Sequence, residues 1–536
     1  MATAATWRNC GWVLLAILGL TGPAADRAAA QSMGSGLIPP NLARRYGLER
    51  VWYTQIEVGR GRGRVQHVTP HVNTSQTITT FEIKQGTIVR RVTEKDRSPF
   101  GEMIGPEGAR AKADEINQLL KKQNPTLPEP VVEQHIVPAV TLYAATDRSA
   151  VHAIDGETGL TRWVSNFGNP AFPTTAVAAC DKYVAYANGS TLYVLRATDG
   201  ALEWQRTTSG VPGSAPAISD RYVFAPMVNG ALESYTLDDY KETPWIYRSI
   251  GRSITAPLVG TDALAWPTDR GHLYVASSEG RAIRYRLETK NHFVATPAFL
   301  PPDRIVVCST DGYVYCLHSL RQSGNIMWKY SSGEPISKSP VVVDGVVYVV
   351  TDDGKLFALS SDMGQLQWKT PGVRKILSVT KSRIYAVGDV GFMRILDKAS
   401  GALISSVPLT EFDLQVTNTL SDRLYFGTQT GVIQCLREIG TDWPLFHGAA
   451  GEATKAVKPK PKVIQRGAGG APGAKPDEDP FSTKKPEPGE DPFGGGGAAK
   501  PQMDKGDDPF GGGGAAGGAA PKPAAPKGKP DDDPFG

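Results

Sequence analysis

Four aspartates are the candidates for acid–base chemistry or for binding a hard cation such as calcium: Asp269, Asp311, Asp352 and Asp353. A carboxylate can accept a proton as general base, and calcium prefers oxygen ligands. Each of the four, however, stands one or two residues before a glycine, between two apolar runs. Aspartate and glycine together favour tight hairpin turns. We therefore expect these carboxylates to form turns, and we assign no catalytic, cofactor-binding or metal-binding residue.

The cysteines offer a second kind of chemistry. Beyond the N-terminal region they are Cys180, Cys308, Cys316 and Cys435. No Cys-x-x-Cys pair or Cys/His cluster of metal-site spacing occurs. Cys308 and Cys316 flank one hairpin, but a two-residue turn at 311–312 pairs position 308 with 315 and places Cys316 on the opposite face. We expect free thiols there, although an exported protein would meet oxidising conditions.

An internal repeat must position all of these residues. Counted from the turn glycines, corresponding positions recur at intervals of 41, 40, 41, 41, 42, 37 and 40 residues. They are Ala153, Val194, Ser234, Val275, Cys316, Ala358, Ile395 and Cys435. One copy, 337–370, reads as four short strands without a helix. A period near 40 built from four strands is typical of propeller blades. The chain is predicted to be an all-β, eight-bladed β-propeller of four-stranded antiparallel blades.

An aromatic residue follows the same rhythm in the last strand of most copies. These residues are Trp163, Trp204, Trp245, Tyr285, Trp328 and Trp368, with Trp52 as an N-terminal counterpart. A tryptophan packed on the next blade buries on the order of 200 Å2, or roughly 5 kcal/mol before entropy is subtracted. We interpret this aromatic stripe as structural blade docking and not as a ligand site. Ser405 and Ser406 replace the tryptophan in blade seven and Tyr285 replaces it in blade four, which predicts the loosest docking at these two blades.

The last copy and the N-terminus have matching defects. Residues 424–436 form a hairpin with no tryptophan strand after it, while residues 49–57, around Trp52, resemble such a strand standing alone. The N-terminal strand is therefore predicted to complete the eighth blade, which would remove two free sheet edges. The alternative is a separate N-terminal hairpin.

Residues 65–130 are predicted to be a small helical insertion in the propeller of residues 45–440, before the repeats of about 131–440. Residues 77–92 alternate like a hairpin, and 107–123 read as a helix with Ala113, Ile116, Leu119 and Leu120 on one face. Insertions project from one rim of a propeller. This one is the first candidate for a specific contact surface.

Residues 1–30 resemble a secretory signal peptide, with Arg8, an apolar core at 11–20 and small residues at 28–30. The apolar run is too short to span a bilayer, which takes about 20 residues. We expect cleavage after Ala30, a flexible leader at 31–44 and no transmembrane span in the mature protein. An uncleaved anchor is the alternative.

Residues 449–536 consist mostly of Gly, Ala, Pro, Lys and Asp, and such a composition predicts a disordered tail. An Asp-Pro-Phe unit recurs within it at 479–481, 491–493, 508–510 and 533–535. Four weak binding units on a flexible tether can raise avidity for a multivalent partner. Drift of a low-complexity sequence by duplication is the alternative. The net charge of +4 on 536 residues gives no reason to expect nucleic acid as a partner.

The repeats resemble the pyrroloquinoline-quinone (PQQ) repeat family. Its Ala-Leu-Asp, Thr-Gly, Trp run is matched by 153–159 with Trp163, by 195–200 with Trp204, and by 358–364 with Trp368. The resemblance implies the propeller fold. It leaves two functions open, since the family includes quinoprotein dehydrogenases and non-catalytic, BamB-like scaffolds of outer-membrane assembly.

In those dehydrogenases the quinone lies against a disulfide of adjacent cysteines, and this chain has no Cys-Cys pair. We therefore expect an exported, non-catalytic scaffold without a cofactor, located in the periplasm or cell envelope. It is expected to be a monomer that binds protein partners through rim loops and possibly through the tail. A PQQ-dependent alcohol dehydrogenase is the alternative.

Overall fold

Short apolar strands joined by glycine turns fold into antiparallel sheets throughout the part of the chain described by this computed structural model. That part comprises residues 36–59, 63–99, 101–320, 324–389, 391–409 and 412–448. The predicted signal peptide at 1–30 and the predicted tail at 449–536 lie outside the described residues. Neither described helix has both the length and the apolar character needed to cross a bilayer.

Within this part of the chain the strands form eight sheets, which confirms the predicted all-β propeller. Six blades are each built from four strands consecutive in sequence. Blade 2 contains β7 (Ala178–Ala179), β8 (Tyr183–Asn188), β9 (Thr191–Arg196) and β10 (Leu202–Thr207). Blade 3 contains β11 (Ala217–Ile218), β12 (Tyr222–Pro226), β13 (Ala231–Thr236) and β14 (Trp245–Arg248). Blade 4 contains β15 (Leu258–Gly260), β16 (Ala263–Pro267), β17 (His272–Ala276) and β18 (Ile283–Glu288).

The next three blades repeat this order. Blade 5 contains β19 (Ala298–Leu300), β20 (Arg304–Cys308), β21 (Tyr313–His318) and β22 (Ile326–Ser331). Blade 6 contains β23 (Val341–Val343), β24 (Val346–Val350), β25 (Lys355–Ser360) and β26 (Leu366–Pro371). Blade 7 contains β27 (Val373–Val379), β28 (Arg383–Gly388), β29 (Phe392–Asp397) and β30 (Leu403–Pro408). First strands of neighbouring blades contact each other, for example β11 with β15 and β15 with β19, so these strands line the axis.

Blade 8 combines both ends of the propeller. Its sheet order is β1 (Leu48–Gln55), β33 (Val432–Glu438), β32 (Leu424–Gly427) and β31 (Leu414–Gln415). Trp52 pairs with Cys435, so the N-terminal strand supplies the outer strand that the last repeat lacks. Part of the predicted leader is folded as well, because helix α1 (Pro40–Arg45) precedes β1 and buries Ala43. The strand closes the ring as predicted.

Blade 1 differs from the predicted organisation. Its sheet contains β3 (Ile88–Thr93), β2 (Val65–Gln85), β4 (Val131–Thr146), β5 (Ala150–Asp155) and β6 (Thr161–Asn166), in that order. The first part of β2, up to Val72, pairs with the blade portion of β4. The predicted insertion at 65–130 therefore begins with the inner strand of blade 1. Beyond an irregularity between Val72 and Thr77, the same two strands continue away from the blade.

We call residues 77–138 the extension. Helix α2 (Gly105–Gln123) packs on one face of its sheet and forms a separate small core. Ala113 and Leu120 are buried in that core, and Ile116 packs against it. Leu119, which was predicted to share this face, is 46% exposed. Consecutive helix positions point 100° apart, so Leu119 and Leu120 cannot both face the sheet. Leu120 is the one that packs there with Ala113.

The register of the repeats is regular around the ring. In every blade the recurring residue of the third strand pairs with the position of the docking aromatic in the outer strand. Ala153 pairs with Trp163 in blade 1, and Ile395 pairs with Ser405 in blade 7. Hydrophobic clusters lie between blades: Val151 and Trp163 of blade 1 pack with Val184 and Tyr186 of blade 2.

The cysteine hairpin of blade 5 is shifted by one residue from the predicted register. Cys308 pairs with Val314, not with position 315. A three-residue loop ending at Gly312, with φ of +81°, replaces the predicted two-residue turn. Cys308 and Cys316 consequently lie in one hydrophobic cluster, and both are free thiols. Burial raises the pKa of Cys316 to about 12, so this thiol stays protonated and poorly reactive at neutral pH.

Candidate interaction site

The docking aromatics contact the next blade through their polar atoms. In five cases the indole N–H donates to a backbone carbonyl at 2.9 to 3.2 Å: Trp52 to Gly156, Trp163 to Ala197, Trp204 to Leu237, Trp328 to Ser361 and Trp368 to Lys398. The Tyr285 hydroxyl donates to the His318 carbonyl in the same manner. Trp245 packs edge-to-face on Tyr222, Phe224 and Tyr247 of its own blade, and it reaches blade 4 through a hydrophobic cluster shared with Leu264 and Trp266. We propose that these contacts dock the blades.

A glycine beneath the ring permits this approach. Gly200 has φ of +71°, and a Cβ atom there would lie 2.4 Å from Cε3 of Trp163. The same relation joins Gly159 to Trp52, Gly364 to Trp328 and Gly401 to Trp368. The Thr-Gly and Trp elements of the repeat are therefore two halves of one contact between neighbouring blades.

Replacing Gly200 by alanine is expected to destabilise the protein by at least about 2 kcal/mol, because the left-handed backbone costs about 1–2 kcal/mol and the ring must also move. Urea unfolding measures the loss. Gly345→Ala is the matched control, since φ there is +75° but the nearest atom to a Cβ is 3.7 Å away. Equal losses in the two variants would show that the tryptophan contact contributes nothing.

The seam between blades 7 and 8 lacks a tryptophan and is filled differently. The Tyr385 hydroxyl and the Thr380 hydroxyl both donate to Oε1 of Glu438, each at 2.9 Å. Ile38 and Leu48, from the N-terminal segment, are buried in the hydrophobic cluster at this seam. Ile38 belongs to the segment predicted to be a flexible leader, so that segment supplies part of the apolar cluster at the seam where blade 7 has serines in place of the tryptophan.

The seam between blades 8 and 1 contains a buried guanidinium. Arg423 is fully buried and lies 3.1 Å from a carboxylate oxygen of Glu157 and 3.2 Å from one of Asp422. Burial opposes the charge of this guanidinium, but the two carboxylates outweigh burial and raise the pKa of Arg423 above its ordinary value. Sequence reasoning missed this residue. The available signal was an arginine recurring before or at the start of the second strand, as Arg221, Arg304, Arg383 and Arg423.

The face of the extension opposite α2 is charged. Glu82 is almost fully buried and accepts hydrogen bonds from Nε and Nη2 of Arg91 at 2.8 and 2.7 Å. Burial opposes its ionisation, but the bonds from Lys84 and Arg91 lower the pKa of Glu82. Glu82, Glu133 and His135 stand close enough to share a metal ion. The Lys84 ammonium, 2.7 Å from Glu82 and 2.9 Å from Glu133, already neutralises this cluster.

Residues 441–448, which we call the C-terminal strap, cover this charged face. The ring of Trp443 stacks on His135 with centroids 4.1 Å apart, and the Arg91 guanidinium lies 4.9 Å from the Trp443 ring centroid. His447 is buried, and its Nε2 lies 2.8 Å from the Val379 carbonyl of blade 7. The strap therefore joins the extension to the ring, although sequence analysis ended the propeller at residue 440.

The four candidate aspartates are used in turns and short loops. The Asp269 carboxylate pairs with Arg252 at 2.9 Å, Asp311 accepts a bond from the Tyr313 N–H at 3.2 Å, and Asp352 accepts one from the Ser337 N–H at 3.2 Å. Asp353 stands in the turn closed by the bond from the Gly354 N–H to the Thr351 carbonyl. The four acids come from blades 4, 5 and 6.

An axial cavity of about 1130 Å3 is lined by residues of blades 1 and 4 to 8 and by the end of the strap. Its apolar side chains include Leu258, Phe299 and Ile376. Its cationic side chains include Lys338 and Lys375. The cavity combines apolar surface with positive charge near the axis, and no motif in the sequence indicated it.

A family model described as outer membrane protein assembly factor BamB matches residues 74–239, 147–291 and 269–441, together more than half of the chain. A curated relative, outer membrane protein assembly factor BamB from Yersinia pestis, is 26% identical over 335 residues, which cover 56% of this chain and 83% of the relative. The crystal structure of BamB from Moraxella catarrhalis is 17% identical with a TM-score of 0.46, over 56% of this chain and 92% of that one. The crystal structure of the computationally designed Ika8 protein is 14% identical with a TM-score of 0.45, and the match covers 55% of this chain and 92% of that one.

Proposed function

We propose, because the chain belongs to the BamB-like family of PQQ-repeat propellers, that it is a non-catalytic, exported scaffold for protein assembly at the outer membrane or in the cell envelope. The observation that carries this proposal is that the family match, residues 74–441, covers the eight-bladed ring except for β1 and the first part of β2. The docking aromatics of the ring contact neighbouring blades, and the four candidate aspartates lie in turns and short loops. Both observations support a rigid platform. The chain would act in the periplasm as a monomer.

The extension is the first surface we assign to a protein partner. It has its own hydrophobic core, so it projects from blade 1 as a folded element. Leu119 on its helix is 46% exposed and Met103 is 72% exposed, which leaves apolar contact area beside charged residues. Rim loops and the Asp-Pro-Phe tail would provide further contacts.

Photocrosslinking in the host tests this role. A photoreactive residue at position 119 is expected to give a discrete adduct with a component of outer-membrane assembly, while one at Met363, exposed in a turn of blade 6, should not. Loss of the protein should lower the amount of folded outer-membrane β-barrel protein, measured by heat-modifiable migration on gels.

Two outcomes would contradict the scaffold role. One is unchanged β-barrel assembly together with no adduct at position 119. The other is dye-linked alcohol oxidation by the purified protein that depends on added PQQ and calcium, which would favour the dehydrogenase alternative.

A further inference from the structure

Two lysines of the axial cavity have unusual surroundings. Nζ of Lys338, in the segment before β23, donates to the Thr351 carbonyl at 3.0 Å, and Nζ of Lys375, in β27, donates to the Gln415 carbonyl of blade 8 at 2.6 Å. Among the described residues, no carboxylate lies within ion-pairing distance of either ammonium. An ammonium has three N–H donors, so each lysine keeps donors for another acceptor.

The protein surrounding these lysines disfavours their charge. Burial lowers the pKa of Lys375 and of Lys338, although Asp352 and Asp389 lie within electrostatic range of Lys338. Asp389 is itself paired with the neighbouring cation Arg374, at 3.0 Å. Lys338 and Lys375 therefore line one cavity with no carboxylate bonded directly to either ammonium, and their remaining N–H donors can bind an anionic ligand.

We propose that the axial cavity binds an acidic peptide segment of a protein partner, with Lys338 and Lys375 contacting its carboxylates. The size of the cavity supports a peptide, because about 1130 Å3 exceeds the roughly 300–1,000 Å3 of small-molecule sites. Leu258, Phe299 and Ile376 would contact apolar side chains between the acidic ones. This inference names the partner chemistry of the proposed scaffold and rests on that role.

Calorimetric titration of the full mature chain tests the assignment with a short capped peptide in which glutamate alternates with leucine or alanine. The peptide is expected to bind, and its glutamine counterpart should bind at least about tenfold more weakly, because charge-assisted hydrogen bonds would be lost. The double variant Lys338→Gln/Lys375→Gln should lose affinity for the glutamate peptide to a similar extent. Lys290→Gln, an exposed lysine outside the cavity lining, should bind as the wild type does.

Equal affinity for the two peptides would overturn the proposal, and this comparison needs only the wild-type protein. Undiminished binding of the glutamate peptide by a folded double variant would also overturn it. Tighter binding of a DNA oligonucleotide or of anionic vesicles, in competition with the peptide, would overturn it as well. A negative result here with a retained adduct at position 119 would remove the cavity site alone and leave the scaffold role intact.

Discussion

A mature protein without residues 45–58 is expected to melt about 10 °C or more below the intact protein and to self-associate. The deleted stretch contains β1, whose Leu48 and Trp52 are buried, together with Ile56 just after it. Burying each such side chain contributes roughly 1.5–3 kcal/mol. The deletion also exposes unpaired N–H and C=O groups along β33, and a bare strand edge recruits other chains.

Thermal melting combined with light scattering measures both effects. Truncation after Ala449 is the matched control, because it removes a longer stretch that is predicted from its composition to be disordered, and it should leave the melting temperature unchanged. If the two truncations melt alike, the N-terminal strand does not stabilise blade 8.

The second large effect is expected at the buried guanidinium between blades 8 and 1. Replacing Arg423 by methionine leaves Glu157 and Asp422 without their cation, and removing one partner of a buried ion pair typically costs 3–5 kcal/mol. Urea unfolding should show a loss of about this size.

Arg304→Met is the matched control for that variant. Arg304 stands at the corresponding strand position in blade 5, but its partner Asp362 is 79% exposed, and exposed pairs contribute about 0–1 kcal/mol. In a background that already carries Arg423→Met, Glu157→Gln should cost little, since no pair remains to be broken. A full additional loss in that double variant would show that Glu157 stabilises the seam without Arg423.

Local signals made the blades predictable. Turn glycines and β-branched runs recur with a constant spacing, and hairpins depend only on neighbouring residues. For this reason Ala153 could be aligned with its counterparts in the other repeats. In the structure each of these recurring residues pairs with the position of the docking aromatic in the outer strand, as Ala153 pairs with Trp163. The closing strand could be inferred too, because Trp52 and the incomplete last repeat were each anomalous in the same way.

Non-local contacts were not predictable from the same signals. Strand β2 belongs first to blade 1 and then to the extension, and strand β4 belongs first to the extension and then to blade 1. The residue types along each strand give no sign of where its role changes. The C-terminal strap has no periodicity, since Trp443 and His447 bind at separate points. The axial cavity arises only when side chains from six blades meet, so Lys338 and Lys375 could not be distinguished from surface lysines.

The pairing of β1 with β33 also determines when the ring can be completed during folding. Glu49 and its partner Arg437 are 388 residues apart, and ribosomes add about 5–20 residues per second, so one strand exists for roughly 20–80 s before the other is made. Blades 2 to 7 are each made of consecutive strands and can form before β33 is available, whereas the backbone of β1 stays unpaired until then. Completion of the ring is therefore a late event in folding, and until it occurs the chain needs either rapid folding of its other blades or a chaperone on its first strand.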